Sequence, residues 1–269
     1  MTFELIEDGT YFGKNFKEYL RMINYIPTSE NKIIINFVLN KYTVSDSLKY
    51  PTDFIKNIVK SCKDGWEKCN KNDTYIFIST PSLNAMKIKT DMTPIAEAAM
   101  ICEKFLFDKE NAKVFRPVSL IDIVDENIKG LTDERDTLIT RIMKVGNGGL
   151  IEIHGQGNQK RMFMTMLEAC RALFEFTDYP AKLLNVSEVN SNFPIVIHTT
   201  VNIKIRDLVH YLSKAFGYNY LFIKDPIPHQ DMIQTRINLP YSYYDTTRDI
   251  KLISMSINRM RKNLLSENN

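Results

Sequence analysis

The sequence predicts an α/β protein of the two-layer α+β type, built from tandem β-α-β-α-β-β units, the first degenerate, with a C-terminal helical extension. Three observations predict it. Short β-branched runs alternate with segments whose apolar residues recur at helical spacing. The order strand, helix, strand, helix appears twice along the chain. The second copy then closes with two further strand-like segments, which a purely parallel α/β chain would not require.

The elements follow in order. Residues 1–30 read as a polar lead-in with a short helix from Phe16 to Ile23. Ile33 to Leu39 is a buried strand by length and β-branching. Asp53 caps a helix whose Phe54, Ile55, Ile58, Val59, Cys62 and Trp66 form one stripe. Tyr75 to Ser79 is the next strand, and Thr93-Pro94 opens the next helix with a cap residue followed by proline at the first helical position. The second copy begins with a strand at Val118–Val124 and a helix opened by Thr132 or Asp133. A strand at Leu150–His154 follows, then a helix from Gln159 to Phe176. Strands at Lys182–Val189 and Ile195–Arg206 close it, the latter alternating cleanly between apolar and polar faces. A helix from Leu208 to Phe216, a strand from Tyr218 to Ile223 and a terminal helix from Thr247 to Leu265 complete the chain.

Composition bounds the function. The chain has 269 residues, 44% hydrophobic and 25% charged, with a net charge of +3. That is ordinary for a folded protein and only mildly basic, so any anionic partner must be met by local clustering. Cys62, Cys69, Cys102 and Cys170 show no paired spacing, so no metal site is expected and the thiols are expected reduced. No secretory signal and no apolar run of about 20 residues is present, so an intracellular protein, cytoplasmic or nuclear and without membrane contact, is expected.

The passage Leu150-Ile151-Glu152-Ile153-His154-Gly155-Gln156-Gly157-Asn158-Gln159-Lys160-Arg161 carries the strongest chemical signal. A Gly-x-Gly turn leading into a helix exposes backbone N–H groups to an anion, and Lys160 and Arg161 stand beside it. The polar face of the last strand of that copy adds His198, Lys204 and Arg206. In the terminal helix, Arg248, Lys251, Arg259, Arg261 and Lys262 face one acid, Asp249. Lys56, Lys60 and Lys63 line one helix of the first half, and Tyr241, Tyr243 and Tyr244 could stack on bases. No nucleotide loop, catalytic triad or paired metal carboxylates is present, and no cofactor is expected. An acid–base pair of His154 and His198 acting on a phosphodiester is the enzymatic alternative.

On the β-α-β-α-β-β order and the Ile151-Glu152-Ile153-His154-Gly155-Gln156-Gly157 passage, residues 118–206 resemble the Alba family of nucleic-acid-binding proteins. The likeness is greater to its eukaryotic branch, which includes small RNase P/MRP subunits. The resemblance implies a sheet in the order 1-2-4-3 with both helices on one face, dimerisation, RNA or DNA binding and no catalysis. Residues 1–117 would then be a degenerate half of the same kind and 207–269 an extension. The family's paired lysines are absent from Ser119-Leu120-Ile121-Asp122, and the hairpin Asn190-Ser191-Asn192-Phe193-Pro194 is short and uncharged. Insertion into a groove is therefore not expected. The expected function is non-catalytic binding of nucleic acid, RNA before DNA, as a ribonucleoprotein subunit. His154, Gly155, Gln156, Gly157, Gln159, Lys160, Arg161, His198, Lys204, Arg206, Arg259, Arg261 and Lys262 would form the contact surface. A structural protein of a larger assembly or viral particle, associating through the terminal helix, is the second alternative.

Overall fold

The computed structural model describes residues 1–27, 30–80, 92–178, 201–223 and 246–267. They fall into two compact units. Unit 1 draws on Met1–Leu83, Met92–Pro117 and Leu167–His198, and unit 2 on Asn84–Asp91, Val118–Met166 and Thr199–Asn269. None of the described helices is long and apolar enough to cross a membrane.

Unit 1 is organised by four parallel strands, β1 (Thr2–Ile6), β2 (Lys32–Asn36), β3 (Thr74–Ile78) and β4 (Ala112–Phe115), in the order β1-β2-β3-β4. Its helices are α1 (Tyr11–Met22), α2 (Val44–Lys49), α3 (Pro51–Glu67), α4 (Pro94–Leu106) and all but the first residue of α6 (Met166–Asp178). A parallel sheet is covered on both faces, so its strands read as continuous apolar runs. Ile34, Ile35, Ile76 and Phe77 are accordingly fully buried.

Register and alternation assign the two faces. Ile34, Tyr75, Phe77, Ala112 and Val114 pack with Phe54, Ile58 and Cys62 of α3 and with Ile95, Ala99 and Cys102 of α4. Phe3 pairs with Ile33, and Phe115 neighbours Val114, so both point to the opposite face. There Phe3 meets Phe16 and Phe115 meets Phe12, both from α1, with ring centroids 5.7 and 6.3 Å apart. Lys113, also on that face, donates from Nζ to the carbonyls of Phe176 (3.1 Å) and Thr177 (3.0 Å) at the end of α6. A cation at a helix C-terminus satisfies carbonyls that have no partner within the helix.

α1 thus lies on one face and α3 and α4 on the other, although all three connections step the same way along the sheet. The β1–α1–β2 crossover therefore has the opposite hand to the two that follow, a departure from the near-universal right-handed rule. The connections that leave β1 and β2 diverge to opposite faces. Such a divergence opens a crevice beyond the carboxyl ends of the two strands.

Unit 2 holds β5 (Ser119–Ile121), β7 (Lys160–Thr165) and β8 (Val201–Lys204) in one sheet, with β5 parallel and β8 antiparallel to β7. β6 (Leu150–His154) pairs in parallel with β9 (Asn219–Ile223). α5 (Leu138–Lys144), α7 (Ile205–Phe216) and α8 (Thr246–Glu267) pack around them. Leu208, Val209, Leu212, Ile253, Ile257 and Met260 supply the apolar contacts. Asp122, in left-handed backbone at φ 78°, accepts from Ser256 Oγ at 3.1 Å and pairs with Arg259 at 3.0 Å. Burial is the largest influence on its carboxyl and pushes the pKa up, against these partners.

Several expectations need correction. The sheet of unit 1 is parallel throughout, in the order 1-2-3-4, so the tandem β-α-β-α-β-β architecture is not found. The helix expected from Gln159 is a strand, β7, that runs without a break into α6. The strand expected over Val118–Val124 shrinks to three residues, and the helix expected from Thr132 starts at Leu138. The long strand expected to Arg206 ends at Lys204, where α7 begins. Its first part, with the strand at Lys182–Val189 and the hairpin at 190–194, lies outside the described residues.

The start of β2 depends on one side chain. Asp73 accepts from Lys32 N and from Asn70 N, both at 2.8 Å, and these bonds hold its carboxyl below the usual carboxylate range. Asp73→Ala should cost about 1–2 kcal/mol in chemical denaturation. Because the folded-state pKa is depressed, the contribution is present above the unfolded carboxyl value and fades as pH falls below about 4. The variant and the parent should therefore converge in stability toward pH 3.

Candidate functional site

The crevice of unit 1 is framed by the turn Glu7–Thr10 after β1 and by the 3-10 helix Val38–Lys41 after β2. Thr10 is the N-cap of α1 and its Oγ1 accepts from Gly13 N at 3.1 Å. Gly13 is required by packing. A Cβ there would stand 2.8 Å from both Cα and O of Asp8. Glu7 adopts a left-handed backbone, φ 58°, which a residue with a Cβ takes only at a cost. Its carboxylate pairs with Lys41 Nζ at 3.3 Å, and that of Asp8 with Lys17 Nζ at 3.1 Å.

Polar groups gather at the same carboxyl edge of the sheet. Ser79 Oγ donates to Glu103, which Arg116 grips through both nitrogens of its fork, with Nε at 2.9 Å. That network satisfies its own members. Asn40 Oδ1 and Thr93 Oγ1, after β2 and at the head of α4, are buried without a hydrogen-bond partner. The buried side of α4 before Glu103 consists of Pro94, Ile95, Ala96, Ala98, Ala99 and Cys102. It brings no proton-transfer group to this edge except the Cys102 thiol, whose pKa its Cys62 partner and burial push far up.

In unit 2 the turn Gly155–Gln159 joins β6 to β7. Gly155 and Gly157 both have positive φ, 77° and 69°. A Cβ on Gly157 would meet Phe222 at 2.7 Å. The turn is pinned from both sides, since Gly155 N donates to Ile223 O while Arg206 N donates to Gly157 O and Ile205 N to Gln159 O. The glycines thus serve chain geometry, and the expected helix N-terminus after them does not exist. Cations still converge here. Lys160 stands directly opposite Lys204 in the β7–β8 ladder, both exposed, and Arg206 follows two residues on, donating to Asn158 Oδ1 at 3.0 Å. Buried polar atoms without a partner flank the turn, His154 Nδ1 on one side and Gln159 Oε1 on the other.

The structure therefore brings His154, Gly155, Gln156, Gly157, Gln159, Lys160, Arg161, Lys204 and Arg206 into one neighbourhood. His198 lies outside the described residues. The terminal-helix cations are used differently from the expectation. Arg259 is bound to Asp122, and Arg261 stacks over Phe216 at 5.0 Å, which leaves Lys262 exposed. On α3, Lys60 pairs with Asp64 and Lys63 lies over Phe105 at 5.5 Å. Sequence reasoning missed the Glu7–Thr10 turn. Its only signal was Gly13 four residues beyond Gly9, after a short run with mixed polarity.

No family model and no curated protein matches the sequence. Solved structures match over nearly the whole chain. An NAD-dependent NDP-hexosamine 5,6-dehydratase of tunicamycin biosynthesis is 14% identical, covers 100% of this chain and 99% of its own, and has a TM-score of 0.65. A dTDP-glucose 4,6-dehydratase from Streptomyces venezuelae, solved with NAD bound, is 10% identical with 98% of each chain covered and a TM-score of 0.66. A UDP-glucose 4-epimerase from Thermotoga maritima, solved with UDP-glucose, is 14% identical, covers 98% and 100%, and has a TM-score of 0.61. The fold is that of these Rossmann-like enzymes.

This overturns the resemblance to the Alba family, and with it the expectation of a non-catalytic RNA-binding subunit of a ribonucleoprotein. The β-α-β order is common to both architectures. The all-parallel sheet of unit 1, with helices on both faces, matches the Rossmann-like architecture of these structures and not the Alba-like one.

The close passage of α1 over the β1 turn can be tested directly. Gly13→Ala should destabilise the protein by about 2 kcal/mol or more, because the clash is with backbone rather than with a movable side chain. A denaturation midpoint unchanged from the parent would show that α1 does not approach the Asp8 backbone.

Proposed function

We propose that the protein binds a nucleoside diphosphate sugar, with the phosphates held at the basic turn of unit 2 by Lys160, Lys204 and Arg206. The observation that carries this reading is the direct opposition of Lys160 and Lys204. Neither has an acidic partner among the described residues. Like charges placed opposite each other in a sheet are unfavourable until an anion lies between them. The unpartnered His154 Nδ1 and Gln159 Oε1 offer hydrogen-bonding capacity beside the same turn. Enzymes with this fold act on sugar nucleotides or were solved with one bound, which supports the ligand class. An intracellular setting suits such a ligand and the four free thiols.

The 5,6-dehydratase is NAD-dependent and the 4,6-dehydratase was solved with NAD, and the residues after β1 do not fit that cofactor. Glu7 and Thr10 present side chains where a pyrophosphate would need bare backbone.

Calorimetric titration with UDP, UDP-glucose and dTDP-glucose tests the reading, and product analysis of the same mixtures reads turnover. Saturable binding that weakens as salt rises is expected. The Lys160→Ala/Lys204→Ala variant should lose at least about tenfold in affinity, roughly 1.4 kcal/mol. An unchanged affinity in that variant, or no binding of any of the three ligands, would overturn the assignment.

A further inference from the structure

We infer that the turn after β1 is closed to a dinucleotide. In doubly wound nucleotide folds three glycines share the work of this turn. The first makes it tight, the second lets backbone approach the pyrophosphate, and the third lets the helix pack on the strand. Gly13 keeps the third role, as its contact with the Asp8 backbone shows. Counting back from it, Thr10 stands at the second place and the first falls within Glu7-Asp8. Glu7 carries the left-handed backbone that glycine would take freely.

The substitutions change the chemistry of the turn in three ways. Thr10 Oγ1 takes the Gly13 N–H, one of the helix-terminal donors that would otherwise face an anion. Glu7 and Asp8 place carboxylates, each already paired with a lysine, on a turn that would otherwise offer bare backbone to the pyrophosphate. Glu7 also pairs with Lys41, which ends the 3-10 helix after β2. That pair ties together the two connections whose divergence opens the crevice.

The far side of the site is missing as well. A dinucleotide's adenosine half rests beyond the first strand, where an acid about 20 residues along holds its ribose. Among the described residues β1 is an edge strand, with β2 its one neighbour. Glu30 lies at the required distance in sequence, but it precedes the first residue of β2 and so sits at the amino edge of the sheet, opposite the crevice.

The experiment measures NAD+, NADH and NADP+ binding by calorimetry and thermal shift, with inorganic pyrophosphate as the minimal probe. The native protein should show no saturable binding of any nicotinamide nucleotide at about 1 mM. A ligand present at a hundred times its Kd would raise Tm by roughly 5–10 degrees, which is readily seen. The Glu7→Gly/Thr10→Gly variant, checked for folding by its own Tm, should bind pyrophosphate at least about tenfold more tightly than the parent. Saturable binding of NAD(H) to the native protein would overturn the inference. So would equal pyrophosphate affinity in the folded variant and the parent. UDP-glucose titrated into the same samples reports on the basic turn of unit 2, so the two readings succeed or fail separately.

Discussion

A parallel sheet cannot leave either face to water, and the way unit 1 meets that demand shapes the rest of it. Strands β2 to β4 are roofed by α3 and α4, while the other face is covered by α1 and α6 through Phe12, Phe16, Phe115 and Phe176. Placing α1 on the second face requires the chain to leave β1 in the direction opposite to that taken after β2. The crevice, the tight turn and the close contact of Gly13 with Asp8 all follow from that choice. Lys113 completes the second face by reaching the carbonyls at the end of α6. Its buried amine donates to two carbonyls, and such pairing is the condition for tolerating a charge inside a protein.

How much of this could be read from the sequence depended on whether the information was local. Strands β2 and β3 and helices α3 and α4 were legible because their apolar runs and stripes are contiguous. β1 was not, since Thr2-Phe3-Glu4-Leu5-Ile6 mixes polar and apolar residues at an edge. β4 was hidden by its length and by Lys113, whose partners lie more than sixty residues away. β7 was misread because Phe163, Met166 and Cys170 fit a helical stripe, and no break marks where strand becomes helix at Met166. The basic turn was legible as a set of cations, but the opposition of Lys160 and Lys204 is a matter of strand register. The Glu7–Thr10 turn had only Gly9 and Gly13 to announce it, and its meaning comes only from the fold around it.

The two units diverge in what they keep. Unit 1 has a Rossmann-like parallel sheet, with Gly13 packed on the Asp8 backbone and a satisfied Ser79–Glu103–Arg116 network, while its turn carries acids and a self-capped helix. Unit 2 keeps a glycine turn ringed by cations and by polar atoms without partners. A fold can outlast the chemistry of one of its sites, because core packing and ligand contacts depend on different residues. Here Gly13 packs on the Asp8 backbone, while the buried Thr10 caps α1.

Hydrogen–deuterium exchange with peptide resolution, in the presence of UDP-glucose or NAD, tests this division most directly. UDP-glucose should slow exchange across residues 155–165 and 203–208, and NAD should leave residues 7–14 as they are in the free protein. Slowed exchange at residues 7–14 on adding NAD, with no change at the basic turn on adding UDP-glucose, would contradict it.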